Sequence, residues 1–459
     1  MRQNYKLVSM ITRKIDAFLE DFFHADSKSA LLLTGARQVG KTYSIRQFGT
    51  KNYAHFVEIN FIDQPDAAAI FTKGKNGAEE ILLRLSAFVN QDLVPNQTLI
   101  FFDEVQEVPE VLTAIKFLVD DGRFRYVLSG SLLGVHFQDL RSVPVGYVQI
   151  KQMYPLDLYE FCQAIGVQSA ILEHLQNAFE KEIEVDPVVH EQMLNVVRTY
   201  LVVGGMPAAV DTYLNTRNIR QVVLQQQSIL MLYRKDIAKY DKPNKLYIES
   251  IFDGIAPQLS AKNKRYIVSR LSSFAKFERL ENSFLWLCDA GVALPTFNVE
   301  EPKSPLLLSS SRSLFKLFAN DVGLLAAQYA NHIQIKILSG DDHINFGAVY
   351  ENLVAQELTA HNFQLFYFNS KKQGEIDFII EHPNGCLPIE VKSGKDYERH
   401  AALNNILQNE EYNIKQAYVV CNGNVKKEGR VIYYPIYMTM FMHQSLPSMI
   451  FQPDISNII

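Results

Sequence analysis

Eight consecutive residues carry the densest chemistry in the chain. Gly35, Ala36, Arg37, Gln38, Val39, Gly40, Lys41 and Thr42 fit the spacing G-x-x-x-x-G-K-[ST]. Glycines at these places let the backbone curl so that its N–H groups point at phosphate oxygens. Lys41 supplies a point charge for β- and γ-phosphates, and the Thr42 hydroxyl is a ligand for Mg²⁺. The helix that follows adds its positive N-terminus. A chance glycine-rich turn is the competing explanation. The strand-like LLLT before the motif and the helical YSIRQF after it supply the context that phosphate binding requires.

A second group lies about 60 residues on. TLIFFDE (98–104) is an apolar run ending in Asp103 and Glu104. A buried strand that ends this way sets its carboxylates at the sheet edge where open α/β sheets bind ligands. Asp103 is suited to complete the Mg²⁺ shell opposite Thr42. Glu104 is suited to polarise a water for attack on a γ-phosphate. Ser129, in LSGS, ends the next apolar strand and is placed to touch the γ-phosphate or the water, or simply to serve its turn.

A third group sits near the C-terminus. Glu351 lies on the apolar stripe of GAVYENLVAQELTAH, with Ala348, Val354, Ala355 and Leu358 as helical neighbours. Carboxylates are rarely buried there without a partner or a metal. EIDFII and LPIEVKS flank the turn HPNG. A turn on Asn384-Gly385 pairs Asp377 with Lys392, and one centred a residue earlier pairs Asp377 with Glu390. Either register sets Asp377, Glu390 and Lys392 on one face, with Ile376, Phe378, Leu387, Ile389 and Val391 on the other. Glu351, Asp377 and Glu390 are then candidate Mg²⁺ ligands, with Lys392 beside an attacking water. A salt-bridged hairpin face is the alternative.

Strands alternating with helices over the first 165 residues require a parallel sheet covered on both faces. The middle third reads as helices, interrupted at Gly204-Gly205. Residues 234–270 hold nine lysines and arginines against four acids, a local charge of +5 in a chain of net charge −5. VALPTFNV and SLFKLF read as two strands of a wing. The overall charge argues against a general nucleic-acid coat, and the basic stretch leaves a local DNA-binding face open. Four cysteines (Cys162, Cys288, Cys386 and Cys421) stand far apart, which disfavours disulfides and zinc and fits a reducing cytoplasm. No apolar run reaches the ~20 residues of a membrane helix, and the N-terminal residues lack a signal-peptide core.

GARQVGKT, LIFFDEVQEVPE, YVLSGSLLG and VPVGYV…YPLDLYEF together resemble the AAA-type ATPases with a DUF4143 C-terminal region. YLVVGGMP is similar to the archaeal-type ATPase group. Glu351, Asp377 and Glu390-Val-Lys392 are similar to the PD-(D/E)-x-K nuclease pattern, with Ile376 in place of its leading proline. Where the family often has Gly-Arg, this chain has Gly146-Tyr147, so no arginine acting on the γ-phosphate carries over; Arg141 and Arg234 are candidates only as arginines. The resemblance implies an α/β chain of four parts. These are a P-loop AAA-type ATPase core (1–165), a helical lid (166–240), a winged-helix-like region (241–335) and a restriction-endonuclease-like α/β domain (336–459). The implied activity is ATP hydrolysis with Mg²⁺, coupled to nucleic-acid engagement, with DNA cleavage by the last domain as the further expectation. The alternative is a nucleotide-controlled DNA- or protein-binding scaffold whose nuclease-like domain is inactive. An oligomer is compatible with either.

Overall fold

The computed structural model describes residues 11–25, 28–72, 77–130, 146–240, 245–261, 264–268, 277–340 and 346–444. Its first sheet has five strands, β1 (Ala30–Thr34), β2 (His55–Asn60), β3 (Thr98–Asp103), β4 (Arg125–Gly130) and β5 (Val148–Gln152). They pair in parallel in the order β2-β3-β4-β1-β5. The period of two sorts their side chains between two cores. Leu31, Leu33, Phe101 and Val127 meet Leu19 of α1 (Lys14–His24) and Ile45 and Phe48 of α2 (Lys41–Asn52). Leu32, Ile100, Phe102 and Leu128 meet Phe71 of α3 (Ala69–Thr72), Leu85 of α4 (Ala78–Val89) and Ile115 of α5 (Glu110–Asp121). Each such side chain stabilises the fold by about 1.5–3 kcal/mol. Because β4 lies between β1 and β3, the phosphate loop, Ser129 and Asp103 emerge side by side at one sheet edge.

Helices fill the middle of the chain: α6 (Leu158–Ile165), α7 (Ser169–Lys181), α8 (Pro187–Val203), α9 (Pro207–Thr216), α10 (Ile219–Tyr240), α11 (Lys245–Leu259) and α12 (Phe277–Asp289). Their starts follow from sequence. Asp186 caps α8 by accepting the Val188 and Val189 N–H groups, and Pro187 occupies its first turn, where no N–H is missed. α8 stops at Gly204, and α9 leaves at 119° to it. Among the described residues no single helix is long and apolar enough to cross a membrane. The bent α8–α9 pair passes a length-and-composition test, but α8 buries Met193, Val197 and Leu201 in the protein core. All four cysteines are unpaired.

The second sheet has eight strands. It contains β6 (Ala293–Val299) and β7 (Ser310–Ala319), and then, after α13 (Val322–Ala326), α14 (Asn331–Ser339) and α15 (Gly347–Ala360), β8 (Phe366–Ser370), β9 (Gly374–His382) and β10 (Gly385–Val391). α16 (Ala401–Gln408), β11 (Ala417–Cys421), β12 (Lys426–Glu428) and β13 (Val431–Pro435) follow, and the order is β12-β13-β11-β10-β9-β8-β6-β7. β6 and β7 pair antiparallel, as a wing would, but β6 also pairs parallel with β8. The expected wing is therefore the edge of the C-terminal sheet, and a boundary at residue 336 would cut that sheet in two.

The hairpin adopts the second of the two expected registers. Cys386 pairs with Glu381 and Ile389 with Phe378, which brings Glu390 beside Asp377. The turn residues are Pro383-Asn384, since proline is preset for the first central turn position, and Gly385 takes φ +111°. Alternation along β9 is broken where β9 pairs with β8, because the pairs Phe366–Ile379 and Phe368–Ile376 differ in register. Ile376 accordingly packs with Ile379 and Leu403 of α16, whereas Phe378 and Ile380 pack in the core that includes α15. Ile376 thus leaves the face on which the sequence pattern set it. Arg141 and Lys262 lie outside the described residues.

A Cβ on Gly205 would stand 1.9 Å from the Leu156 carbonyl oxygen, whose residue also donates its N–H to Gly205 O at 2.7 Å. Gly205→Ala is expected to cost more than 3 kcal/mol or to prevent folding, as severe backbone clashes do. Gly77→Ala, in open space, should cost about 1 kcal/mol or less. Urea unfolding of both variants checks the contrast.

Candidate functional site

The phosphate loop folds as its sequence requires. Gly35 has φ +139°, and a Cβ there would stand 2.2 Å from the Met153 carbonyl oxygen, so only glycine fits. Gly40, at φ +103°, begins α2, whose first N–H groups are left free for an anion. Lys41 is buried and donates to the carbonyls of Gly35 (2.9 Å) and Ala36 (2.8 Å), which holds its ammonium inside the loop. Burial pushes its pKa down to about 8 against the opposing pull of Glu104 and Asp103. A bound polyphosphate would restore the charge's solvation.

Asp103 is the hub of the edge. One of its oxygens accepts from Thr42 Oγ1 and from Asn60 Nδ2, both at 3.0 Å. The other accepts from Ser129 Oγ and from the Glu104 N–H at 3.1 Å. Burial raises the carboxyl, and the Ser129 hydrogen bond opposes that rise. Thr42 and Asp103 give two hard oxygens next to the helix N-terminus, a donor set that fits Mg²⁺; these two residues would hold it, and the ion would neutralise phosphate charge. Ser129 is held on Asp103. Glu104 has left-handed backbone (φ +57°), which turns the chain away from β3, and its carboxylate accepts from Gln106 Nε2.

Three features were not legible in the motifs. Asn60, at the end of β2 directly opposite Asp103, is placed by strand register alone. Arg13 is buried and donates to Val39 O (2.9 Å), Tyr154 O (2.8 Å) and Glu160 Oε1 (3.1 Å), which fixes the loop's back. A cavity of about 260 Å³ opens beside Gly40, walled by Ile11, Tyr43, Leu156, Pro207 and Ala208. Its position against the phosphate loop and its apolar walls suit a nucleotide base.

The loop is also tied to the rest of the chain. Arg37 Nη1 bonds Asp236 at 2.5 Å, and Tyr233 Oη donates to Arg37 O at 3.2 Å. Asn320 Nδ2 reaches Tyr233 Oη at 3.5 Å. The next residue, Asp321, is fully buried and accepts the Gly205 N–H (2.6 Å) and the Leu324 N–H (2.8 Å). Burial pushes its carboxyl up to about 6, opposed by these bonds and those from Gly323 and Met206.

The C-terminal acids do come together, but not alone. Glu351 is buried on α15 as its stripe requires. Lys316 of β7 sits among the acids, with Nζ 2.6 Å from Glu375, 3.8 Å from Glu351 and 3.8 Å from Asp377. Lys264 pairs with the other oxygen of Glu351, so it is not a solvated phosphate-binding lysine as its basic stretch suggested. Lys392 Nζ bonds Glu390 at 2.8 Å. Asp377 Oδ2 accepts the Val391 N–H at 2.9 Å. Among the described residues no three His, Cys, Asp or Glu side chains are arranged to hold a metal ion. With Lys316 and Lys392 bound to these acids, they are not presented to the expected Mg²⁺ in this arrangement, and no cleavage step follows from it. Arg234 bonds Asp253 at 2.7 Å over the Phe252 ring.

Burial, then Asp377, pushes Glu390 up to about 8, with Lys392 opposing. A carboxyl whose folded pKa is raised stabilises fully below its unfolded pKa, and that contribution is lost as pH rises through about 8. Relative to wild type, Glu390→Gln should gain stability between pH 5 and pH 9. Urea unfolding across that range checks it; a constant or falling difference would contradict it.

Residues 27–162 match the family model described as an AAA domain, residues 194–334 that of a domain of unknown function, DUF8612, and residues 346–438 that of another, DUF4143. No curated protein sequence matches. Solved structures similar to the chain include a Walker-type ATPase of Pyrococcus abyssi, at 13% identity and TM-score 0.42, over 72% of this chain and 98% of that one. The Orc1 protein of Aeropyrum pernix in complex with DNA is similar at 13% identity and TM-score 0.29, over 74% and 95%. The RuvB Holliday junction branch migration motor of Thermotoga maritima is similar at 16% and 0.28, over 62% and 89%. The segment 27–162, which carries the parallel sheet and the phosphate loop, is thus similar to AAA domains.

Proposed function

We propose that the chain binds and hydrolyses ATP, uses the nucleotide state to set the position of its C-terminal sheet and the helices packed on it, and engages nucleic acid through the basic stretch 234–270. The observation that carries this reading is the pair of neighbours Asn320 and Asp321 at the end of β7. One reaches the phosphate loop through Tyr233, and the other holds the turn that delivers Pro207 to the base cavity. A change at either end of the nucleotide is thus felt by the same strand end.

In the proposed reaction Lys41 moves from its loop carbonyls onto the β- and γ-phosphates. Thr42 and Asp103 hold Mg²⁺, Glu104 orients the attacking water, and Ser129 keeps Asp103 in place. The base rests between Tyr43 and Pro207. The helices of 166–240 act as the lid. DNA is the inferred partner on the strength of the basic stretch 234–270, bound by charge rather than by sequence. Part of that charge is already used within the fold by Lys264, Arg234 and Lys245, so the interface draws on other members of the stretch such as exposed Lys235. Cleavage of the nucleic acid is not part of the proposal, because Lys316 stands among the acids that cleavage would need.

Lys41→Ala should abolish ATP binding, whereas Glu104→Gln should bind ATP at near wild-type affinity and lose at least a hundredfold in turnover. Calorimetry and phosphate release distinguish the two. Glu104→Gln should also bind labelled DNA more tightly or more weakly with ATP than with ADP, by about tenfold, in 50 mM salt. Turnover at the wild-type rate would remove Glu104 from the mechanism. Equal DNA affinity in both nucleotide states would remove the coupling.

A further inference from the structure

Lys316 is the most unusual side chain outside the nucleotide site. It lies on β7 and is 1% exposed, with no apolar reason to be there. Its ammonium faces Glu375, Glu351 and Asp377 at 2.6, 3.8 and 3.8 Å and stacks over the Tyr367 ring at 5.1 Å. Burial acts to deprotonate it, but the three carboxylates outweigh burial and keep it charged. Lys264 occupies the second oxygen of Glu351, and Lys392 occupies Glu390. Three ammoniums thus face the four carboxylates Glu351, Glu375, Asp377 and Glu390, and the cluster carries at most one excess negative charge.

We propose that this cluster is centred on a built-in ammonium rather than on a metal. Lys316 holds the place between Glu351 and Asp377 that a divalent cation would take, and the wild-type cluster binds neither Mg²⁺ nor Mn²⁺. The reasoning is electrostatic. A divalent ion added to the intact cluster would turn an excess of at most one negative charge into an excess of at least one positive charge in a buried place, which burial disfavours. It would also have to displace an ammonium that cannot reach water from a side chain 1% exposed. Removing the ammonium alone leaves up to two uncompensated negative charges around a space lined by hard oxygens, which one Mn²⁺ would neutralise. Two of the three lysines, Lys316 on β7 and Lys264 just before Tyr266, come from the middle of the chain, whereas the acids come from α15, β9 and β10, and Lys392 directly follows β10. The cluster therefore joins two stretches of sequence that a metal would only have to bridge within one. This inference does not rest on the proposed ATPase activity.

The test is Mn²⁺ binding to the full chain without nucleotide, followed by electron paramagnetic resonance of the free ion. Wild type and Asp377→Asn should give the same isotherm, because neither has a site in the cluster. Lys316→Met should gain one Mn²⁺ site at least tenfold tighter than any in wild type, and Lys316→Met with Asp377→Asn should lose it again. Circular dichroism and thermal melting establish that each variant is folded. If Lys316→Met does not fold, the wild-type comparison with Asp377→Asn still decides. A wild-type site that Asp377→Asn removes would overturn the proposal, as would a folded Lys316→Met that gains none. ATP hydrolysis, measured alongside, should be unchanged by Asp377→Asn whichever way the metal result falls.

Discussion

A single buried carboxylate, Asp321, carries more of this architecture than any side chain in the recognisable motifs. It is fully excluded from water, and it caps α13 through the Leu324 N–H while accepting the Gly205 N–H across more than a hundred residues of sequence. Burying a carboxylate is costly unless several N–H groups solvate it. Once it is so held, the groups that solvate it are fixed as well. The turn at Gly204–Met206 therefore cannot move independently of β7. Gly204 leaves room for it: a Cβ there would stand 2.3 Å from Asp321 Oδ1. Pro207, immediately after this turn, walls the cavity beside the phosphate loop. The position of the C-terminal sheet and the shape of the proposed base site are in this sense one constraint.

Lys316 lies on β7 five residues earlier, so the strand has one polar anchor within it and another just past its end. The carboxylates at the nucleotide edge and in the C-terminal cluster differ in how they are compensated. At the nucleotide edge Asp103 receives hydroxyl, amide and backbone donors, all neutral, so none of its hydrogen-bond partners is an ammonium. In the C-terminal cluster the compensation is already ionic. Neutral donors prepare a site for Mg²⁺, whereas ammoniums take its place.

How much of this was readable depends on how local the cause is. The phosphate loop, its flanking strand and helix, and the acid-ended strand β3 follow from spacing and apolar continuity over a dozen residues, and they stand where expected. Glu351 was rightly read as buried, because the helical period is a local property. The register of the hairpin was narrowed to two and decided by Pro383, which prefers a turn centre over a strand end. What could not be read is long-range. Nothing near Lys316 in sequence indicates that β7 will join β8 through β6 and so carry an ammonium to the acids of β9. Lys264 looked like part of a basic face because its partner lies 87 residues away. Asn60 and Arg13 carry no motif; strand register and a side chain's reach across the loop place them. The bulge in β9 likewise escapes a strict period-two reading, so Ile376 was assigned to the wrong face.

The account stands or falls on whether the phosphate loop and the end of β7 respond together. Hydrogen–deuterium exchange of Glu104→Gln, with and without ATP and Mg²⁺, measures this directly. The expected result is added protection in residues 35–44 together with a change of protection in 203–210 and 315–326, and loss of the latter changes alone in Asn320→Ala with Asp321→Asn. Protection confined to residues 35–44 and 103–104, with both distant segments unchanged, would contradict it.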